Sequence, residues 1–162
     1  MNILEEARNE LFSELENLTE EVFNQKPSEE KWSIKQILEH LYLYEVAATK
    51  AIREEIQHGD NRLVKEQPIH LTTNRKNKFI APAFSQPSDT FLTIDDVKKK
   101  MIASRKQLLE LIATTDEETL LKKSLPHPGF KMLSLKQYIE FLGWHERRHL
   151  LQMKEVKDLL GV

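Results

Sequence analysis

The chain has 162 residues, a length that fits one domain spanning residues 1–162. A formal net charge of −2 gives no reason to expect nucleic acid or an anionic membrane as a partner. The absence of cysteine excludes disulfides, thiolate metal ligands and a cysteine nucleophile. The N-terminus lacks the pattern of a signal peptide, and no apolar run approaches the ~18 residues of a membrane span. We therefore expect a cytoplasmic protein.

The first predicted element is an amphipathic helix over residues 3–24. Only four glycines and six prolines occur in the whole chain, a composition that favours helices. Apolar side chains recur here every three or four positions, which marks one buried helix stripe. The members of the stripe are Leu4, Ala7, Leu11, Leu15, Leu18 and Val22. Pro27 follows and helps to end the helix.

A second helix is predicted over residues 33–58. Ser33 and Gln36 have the spacing of a capping box, in which the serine hydroxyl accepts from a backbone amide and the glutamine reaches back. An apolar stripe follows, and Gly59 supplies a C-terminal stop.

Residues 59–92 show no sustained period and contain three prolines. A connection of this length crosses the bundle or covers a site, and we interpret it as a solvated crossover loop. Four apolar side chains are expected to fix the loop on the bundle: Phe79, Ile80, Phe84 and Phe91. A basic cluster is interpreted as a solvated face: Arg75, Lys76 and Lys78.

A third helix is predicted over residues 94–114 and a fourth over residues 134–160. Thr93 precedes the third helix, while Ser134 and Gln137 repeat the capping-box spacing before the fourth. Residues 125–129 are predicted to form a turn. With no sheet of consequence, we expect an all-α four-helix bundle with a long crossover loop between its second and third helices.

The sharpest local motif is His145-Glu146-Arg147-Arg148-His149. Positions i and i+4 of a helix lie on one face, about 6 Å apart along the axis, so two imidazoles can converge on one ion. The same pattern occurs in zincins, where the glutamate acts as general base. That interpretation needs a third ligand downstream, and the only carboxylates there are Glu155 and Asp158. The zincin pattern is therefore weakly supported.

A third histidine lies upstream instead. His40 comes seven residues after its cap, on a largely apolar face that points inward. Burying three imidazoles without partners is costly, and a cation satisfies all three at once. If the second and fourth helices pack antiparallel, His40 reaches the height of His145 and His149. We predict these three residues as the ligands of one divalent ion.

The chain resembles the DinB/YfiT-like superfamily over nearly its whole length. Three segments carry the resemblance: Trp32-Ser33 followed by His40, His127-Pro128-Gly129-Phe130, and Trp144-His145-Glu146 with His149 and Gln152. The resemblance implies a four-helix bundle with a divalent metal held by three histidines. It also implies diverse activities, among them thiol S-transferases that use bacillithiol or mycothiol and a thiol-dependent isomerase.

Three neutral nitrogens with an open position are typical of a catalytic metal site. Such donors favour zinc or nickel over magnesium or calcium, with manganese or iron as alternatives. Glu146 is interpreted as an exposed helix residue in preference to a general base, and Gln152 as a residue that orients a ligand or touches substrate. His70 and His127 are expected in solvated loops, and His58 at a helix C-terminus.

Three hypotheses remain open at this point. The first is a metal-dependent enzyme that transfers a low-molecular-weight thiol to an electrophile or hydrolyses a small-molecule substrate. The second is a non-catalytic stress or binding protein whose metal braces the bundle. The third is a helical module whose histidines bind no metal. The resemblance also implies a homodimer.

Overall fold

Four long helices form the bundle in the computed structural model, which describes residues 2–162. They are α1 (Asn2–Ser13), α3 (Ile34–His58), α4 (Ile94–Ala113) and α6 (Leu135–Leu160), with α2 (Glu20–Asn24) and α5 (Glu117–Lys122) as short helices between them. The predicted all-α four-helix bundle is confirmed. The second, third and fourth predicted helices agree with α3, α4 and α6 to within about one residue at each end.

The first predicted helix is wrong as one continuous element, because α1 ends at Ser13 and α2 begins at Glu20. Asn17 between them has a φ of 64°, in the left-handed region that asparagine tolerates better than most residues. Thr19 then caps α2, its side chain accepting from the Val22 amide at 3.1 Å. The apolar spacing continues across the break, and that continuity concealed it.

Helix caps account for the starts of α3 and α6, but only α3 has the full capping box. The Ser33 hydroxyl accepts from the Gln36 amide, and the Gln36 side chain accepts from the Ser33 amide. At α6 the Ser134 hydroxyl caps as predicted. The Gln137 side chain instead binds the backbone of Gln67, accepting from its N–H and donating to its carbonyl, both at 2.8 Å. The second reciprocal box is therefore wrong, and its glutamine ties the crossover to α6.

The connection between α3 and α4 crosses the length of the bundle. Lys100 lies over the ring of Tyr42, and the Ser104 hydroxyl donates to Glu45 at 2.7 Å. The later residue of α3 contacts the later residue of α4, so the two helices are parallel neighbours. A parallel pair of adjacent helices requires a long return connection, which residues 59–93 provide.

Hydrogen bonds and one buried side chain, Ile69, hold the crossover, whereas the four predicted apolar anchors do not join the core. All four of those side chains are exposed, with Ile80 at 93%. Arg148 of α6 instead donates to the carbonyl oxygens of Thr72, Asn74 and Asn77. A long loop carries many backbone carbonyls, and one buried guanidinium has enough donors to satisfy several of them.

A two-stranded antiparallel hairpin precedes α6. Its strands are β1 (Ser124–His127) and β2 (Lys131–Ser134), so the predicted turn over residues 125–129 overlaps the first strand and the bend of the hairpin. The core lies where the four long helices meet, and each contributes a fully buried side chain: Leu11, Leu38, Met101 and Met153. Among the described residues, no helix combines the length and apolar character needed to cross a membrane.

Replacing Gly143 by valine is expected to destabilise the protein by about 2 kcal/mol through overpacking. A Cβ at this position would lie 2.8 Å from Ile3 Cγ1 and 3.0 Å from the Ile3 backbone carbon, so α1 must move away from α6. Urea unfolding measures the loss. Leu151→Val, an exposed site on the same helix, is the control and should change stability much less. Equal free energies of unfolding for the two variants would show that α1 can move away from α6 without a loss of stability.

Candidate metal centre

Three histidine side chains meet between α3 and α6. The Nε2 atom of His145 lies 3.3 Å from His40 Nε2 and 3.1 Å from His149 Nε2. All three residues are buried, and the candidate ligand atoms lie within 4.8 Å of one another. The structure thus brings together the three residues that the sequence predicted as ligands.

Antiparallel packing of α3 and α6 produces this arrangement. The His40 ring faces His149, with centroids 4.7 Å apart, while Tyr44, one turn later on α3, packs on His145 and Phe141 toward the start of α6. The i, i+4 spacing puts His145 and His149 on the α6 face turned toward α3. His40 therefore lies at the same level along the bundle axis as His145 and His149, as predicted.

Acceptors hold the outer nitrogens of two of the rings. His40 Nδ1 lies 2.9 Å from the Ser85 carbonyl oxygen, and His149 Nδ1 lies 2.7 Å from Gln152 Oε1. Because an amide carbonyl oxygen only accepts, each Nδ1 carries the ring proton and each Nε2 presents a lone pair toward His145. Gln152 therefore makes the orienting contact expected from the sequence, of a kind common among metal-binding histidines.

Two of the three separations between the nitrogens match those around a divalent ion, and the candidate ligand atoms all lie within 4.8 Å of one another. His40 Nε2 and His149 Nε2 both direct a lone pair at His145 Nε2. Because His145 Nε2 carries at most one proton, it can donate to only one of them, and the other pair of nitrogens has no hydrogen bond. In a tetrahedral site with metal–nitrogen bonds of about 2.0–2.1 Å, neighbouring ligand nitrogens lie about 3.3 Å apart. The two separations at His145, 3.1 and 3.3 Å, agree with that value.

Burial keeps these imidazoles neutral at physiological pH. It lowers the pKa of His145 and of His149 well below the ordinary value, and the neighbouring imidazoles lower both further. Burial also lowers the pKa of His40, against the opposing effect of its bond to the Ser85 carbonyl. A neutral ring keeps the lone pair that a metal ion requires.

The three histidines line a cavity of about 800 Å³, a volume suited to a small molecule. Its walls include five aromatic side chains: Trp32, Tyr44, Phe79, Phe130 and Phe141. Arg75 and Lys78 also line the cavity, and Arg75, which is half-buried, is bound to Glu155 at 2.9 Å in a contact at the protein surface. Lys76 and Lys78 are exposed, as expected.

The expectation that Glu146 is exposed is wrong. Its side chain is buried, and its Oε1 accepts from Arg8 Nη2 at 2.5 Å and from Arg105 Nη2 at 2.7 Å. The residue turns about 100° away from His145 around the helix, as the helical geometry requires. That side of α6 faces α1 and α4, so the carboxylate is enclosed in the bundle and held by two guanidinium groups.

His127 is also buried, so its expected solvated position is wrong, whereas His58 and His70 are exposed as expected. The Gly129 amide donates to His127 Nδ1 at 3.0 Å, and the imidazole packs edge-on against Phe141 with centroids 4.3 Å apart. The ring lines the same cavity but lies outside the group of three.

Stability of the metal-free protein is expected to fall between pH 6.5 and 4, partly through His127. Burial lowers the pKa of this residue from 6.5 to about 4, so the unfolded chain binds a proton in this range that the folded chain does not. The contribution of the neutral His127 to the free energy of unfolding is complete above pH 6.5 and is lost progressively as the pH falls from 6.5 to 4. Urea midpoints should therefore decline less steeply in His127→Phe than in the wild type. An equal effect of His70→Asn would argue against this assignment.

A family model described as the DinB superfamily matches residues 3–153. The chain belongs to the DinB superfamily. It is 39% identical over 158 residues to the uncharacterized protein YuaE of Bacillus subtilis strain 168, covering 98% of this chain and 97% of that protein.

Two solved structures share the fold of this DinB-superfamily chain. TT2238, described as a four-helix bundle protein, is 19% identical with a TM-score of 0.67, and the match covers 95% of this chain and 94% of TT2238. YfiT from Bacillus subtilis is 14% identical with a TM-score of 0.63, covering 99% and 85% respectively. YfiT is described as a probable metal-dependent hydrolase with an unusual four-helix bundle topology.

Two contributors to the site are absent from the sequence prediction. The carbonyl of Ser85 orients His40, and a backbone group leaves no trace in the residue pattern. Tyr44 packs against His145 with centroids 4.5 Å apart. Tyr44 follows His40 by four residues and therefore lies on the same face of α3, but its contact with His145 could be found only from the structure.

Proposed function

We propose that this protein is a metal-dependent enzyme that acts on a small-molecule substrate, with transfer of a low-molecular-weight thiol to an electrophile as its reaction. The observation that carries the proposal is the convergence of three neutral imidazole nitrogens in an 800 Å³ cavity. Two of these rings are already oriented by hydrogen bonds, and a cavity beside the ligands leaves room for substrate.

The donor set favours zinc or nickel as the ion, with manganese or iron as alternatives. His40, His145 and His149 offer only imidazole nitrogens, which suit these metals better than magnesium or calcium. When bound, such an ion lowers the pKa of a coordinated thiol or water toward neutrality.

The position of Glu146 favours a thiol as the nucleophile. Two arginines hold this carboxylate in the bundle interior, which removes it as a base for activating water. Two other carboxylates line the cavity: Glu155 is bound to Arg75, and Glu30 is exposed to solvent. A free thiol ionises near pH 8.5 and needs far less activation than water. In the reaction, sulfur forms a bond to the electrophilic carbon, the leaving group departs with its electron pair, and the thiol proton is released.

Hydrolysis of a small substrate is the second candidate reaction. The description of YfiT as a probable metal-dependent hydrolase supports it, because that protein shares the fold over nearly the whole chain. Fold similarity alone does not select a reaction. The experiment must therefore offer both kinds of substrate.

Metal analysis of the purified protein, followed by parallel substrate panels, tests the proposal. One panel combines low-molecular-weight thiols with alkyl halides and epoxides, and the other contains esters and amides. Turnover in the first panel that is lost in His145→Ala supports thiol transfer. Turnover only in the second identifies a hydrolase. A bound metal without turnover in either panel favours the non-catalytic, metal-braced protein.

We also propose that the protein forms a homodimer in the cytoplasm. Three exposed apolar side chains on the crossover, Phe79, Ile80 and Phe84, support an association surface. Light scattering at micromolar concentration is expected to give twice the monomer mass of 19.1 kDa. A monomer mass at that concentration would end the proposal.

A further inference from the structure

Two acidic residues of the ligand-bearing helices meet two arginines of the ligand-free helices in the bundle interior. Glu45 belongs to α3 and Glu146 to α6, whereas Arg8 belongs to α1 and Arg105 to α4. All four are buried. We call these residues the buried quartet. Its two positive and two negative charges balance.

Each arginine of the quartet bridges both carboxylates. Arg105 donates through Nε to Glu45 Oε2 at 2.9 Å and through Nη2 to Glu146 Oε1 at 2.7 Å. Arg8 donates through Nη2 to Glu146 Oε1 at 2.5 Å and, more weakly, to Glu45 Oε1 at 3.4 Å. The carboxylates of α3 and α6 would repel each other, and the two guanidiniums between them convert that repulsion into a fixed separation.

Each arginine is itself fixed by a hydrogen bond to a backbone carbonyl of the helix that carries the other arginine. Arg8 Nη1 donates to the Met101 carbonyl of α4 at 2.9 Å, and Arg105 Nη1 donates to the Leu4 carbonyl of α1 at 2.8 Å. Because each guanidinium binds the backbone of the other arginine's helix, α1 and α4 form one unit. That unit presents both cations to α3 and α6 in fixed positions.

The separation of α3 and α6 is the one that the three histidines depend on. His145 and His149 share a helix, so only the contact of His40 with this pair can change when helices shift. Glu146 directly follows His145, and Glu45 comes five residues after His40, about 7.5 Å along the axis. We propose that Arg8 and Arg105 are positioning residues, which set the spacing of the histidine ligands by holding the carboxylates of α3 and α6 together.

This inference rests on the proposed metal site and is tested on α4, which carries no ligand. Arg105→Met leaves two buried carboxylates with one cation, so α3 and α6 are expected to move apart. We expect the affinity for Zn²⁺, measured by competition with a chromophoric chelator, to fall about tenfold or more, as for other residues that support metal ligands. The visible spectrum of the Co²⁺-loaded protein should also change. Lys106→Met, the exposed neighbour on α4, is the control and should match the wild type.

A second substitution separates positioning from mere stability. Adding Glu45→Gln to Arg105→Met restores the charge balance while keeping an acceptor for Ser104, so the Zn²⁺ affinity should recover toward the wild type. A loss of stability alone would leave the affinity of the folded protein unchanged. Should Arg105→Met not fold, Arg105→Gln, which also removes the positive charge but keeps a hydrogen-bond donor, is measured in its place.

The outcomes distinguish the two proposals. Wild-type affinity and an unchanged Co²⁺ spectrum in the folded arginine variant would overturn the positioning role while leaving the metal site intact. Reduced affinity without recovery in the double variant would also overturn it, because charge balance would then not be the cause. No Zn²⁺ binding by the wild type would refute the metal site itself.

Discussion

Replacing His40, His145 or His149 by alanine is expected to lower the affinity for Zn²⁺ at least tenfold. The group offers three nitrogens and no spare donor, so each substitution removes one of the bonds that hold the ion. His40→Ala is the most informative of the three, because His40 alone comes from α3. Chelator competition at pH 7.5, where the imidazoles are neutral, measures the affinity.

Three other histidines serve as matched controls for these substitutions. His58→Ala and His70→Ala remove exposed imidazoles and should leave the affinity unchanged. His127→Ala removes a buried imidazole from the same cavity without removing a member of the group. If His40→Ala bound the ion as tightly as the wild type, the three-histidine site would be wrong.

The sequence predicted the three histidines because their grouping depends on local geometry. The i, i+4 spacing fixes His145 and His149 on one helix face whatever surrounds the helix. His40 follows the capping box at Ser33, so its phase on α3 could be counted from a known start. Antiparallel packing of two inward faces was then the only tertiary assumption needed.

The environment of Glu146 could not be predicted in the same way. Helical phase correctly turned it away from His145, but exposure depends on what lies opposite. The partners Arg8 and Arg105 come from helices 138 and 41 residues distant in the chain. One indication was available in the sequence, since Arg8 lies among the apolar positions of α1, between Leu4 and Leu11. A charged residue on a buried stripe requires a buried partner.

The crossover shows where apolar residue type misleads. Phe79 and Ile80 were expected to fix the loop because large apolar side chains are usually buried. The loop is fixed instead by the buried Ile69 and by hydrogen bonds. Arg148 satisfies three of its carbonyls with one guanidinium, and Gln137 binds the backbone of Gln67. Contacts from side chains to a loop backbone carry no periodic pattern, so the sequence does not reveal them.

Replacing Arg8 by methionine is expected to destabilise the protein by about 3–5 kcal/mol, because removing one partner leaves a buried charge uncompensated. The substitution keeps most of the apolar stem but removes the contacts with Glu146, Glu45 and the Met101 carbonyl. Urea unfolding of the metal-free protein at pH 7.5 measures the loss without interference from ligand binding.

Arg147→Met is the matched control, since it removes a guanidinium that also joins α6 to α1. Arg147 contacts Glu6 and Glu10 at the surface, where ion pairs contribute about 0–1 kcal/mol because water and salt screen them. The two variants thus differ mainly in burial. If Arg8→Met and Arg147→Met lowered the free energy of unfolding by the same small amount, the prediction that the buried quartet stabilises the protein would be wrong.

The pH dependence of the Arg8→Met loss identifies its cause. A buried carboxylate deprived of its cation binds a proton more readily in the folded protein than in the unfolded chain. Folding of the variant is then favoured by protonation, so its deficit relative to the wild type should shrink from pH 8 to pH 5. A cavity left by the missing guanidinium would instead cost the same free energy at both pH values. A deficit independent of pH would therefore assign the loss to packing and remove the charge balance of Glu45 and Glu146 as its explanation.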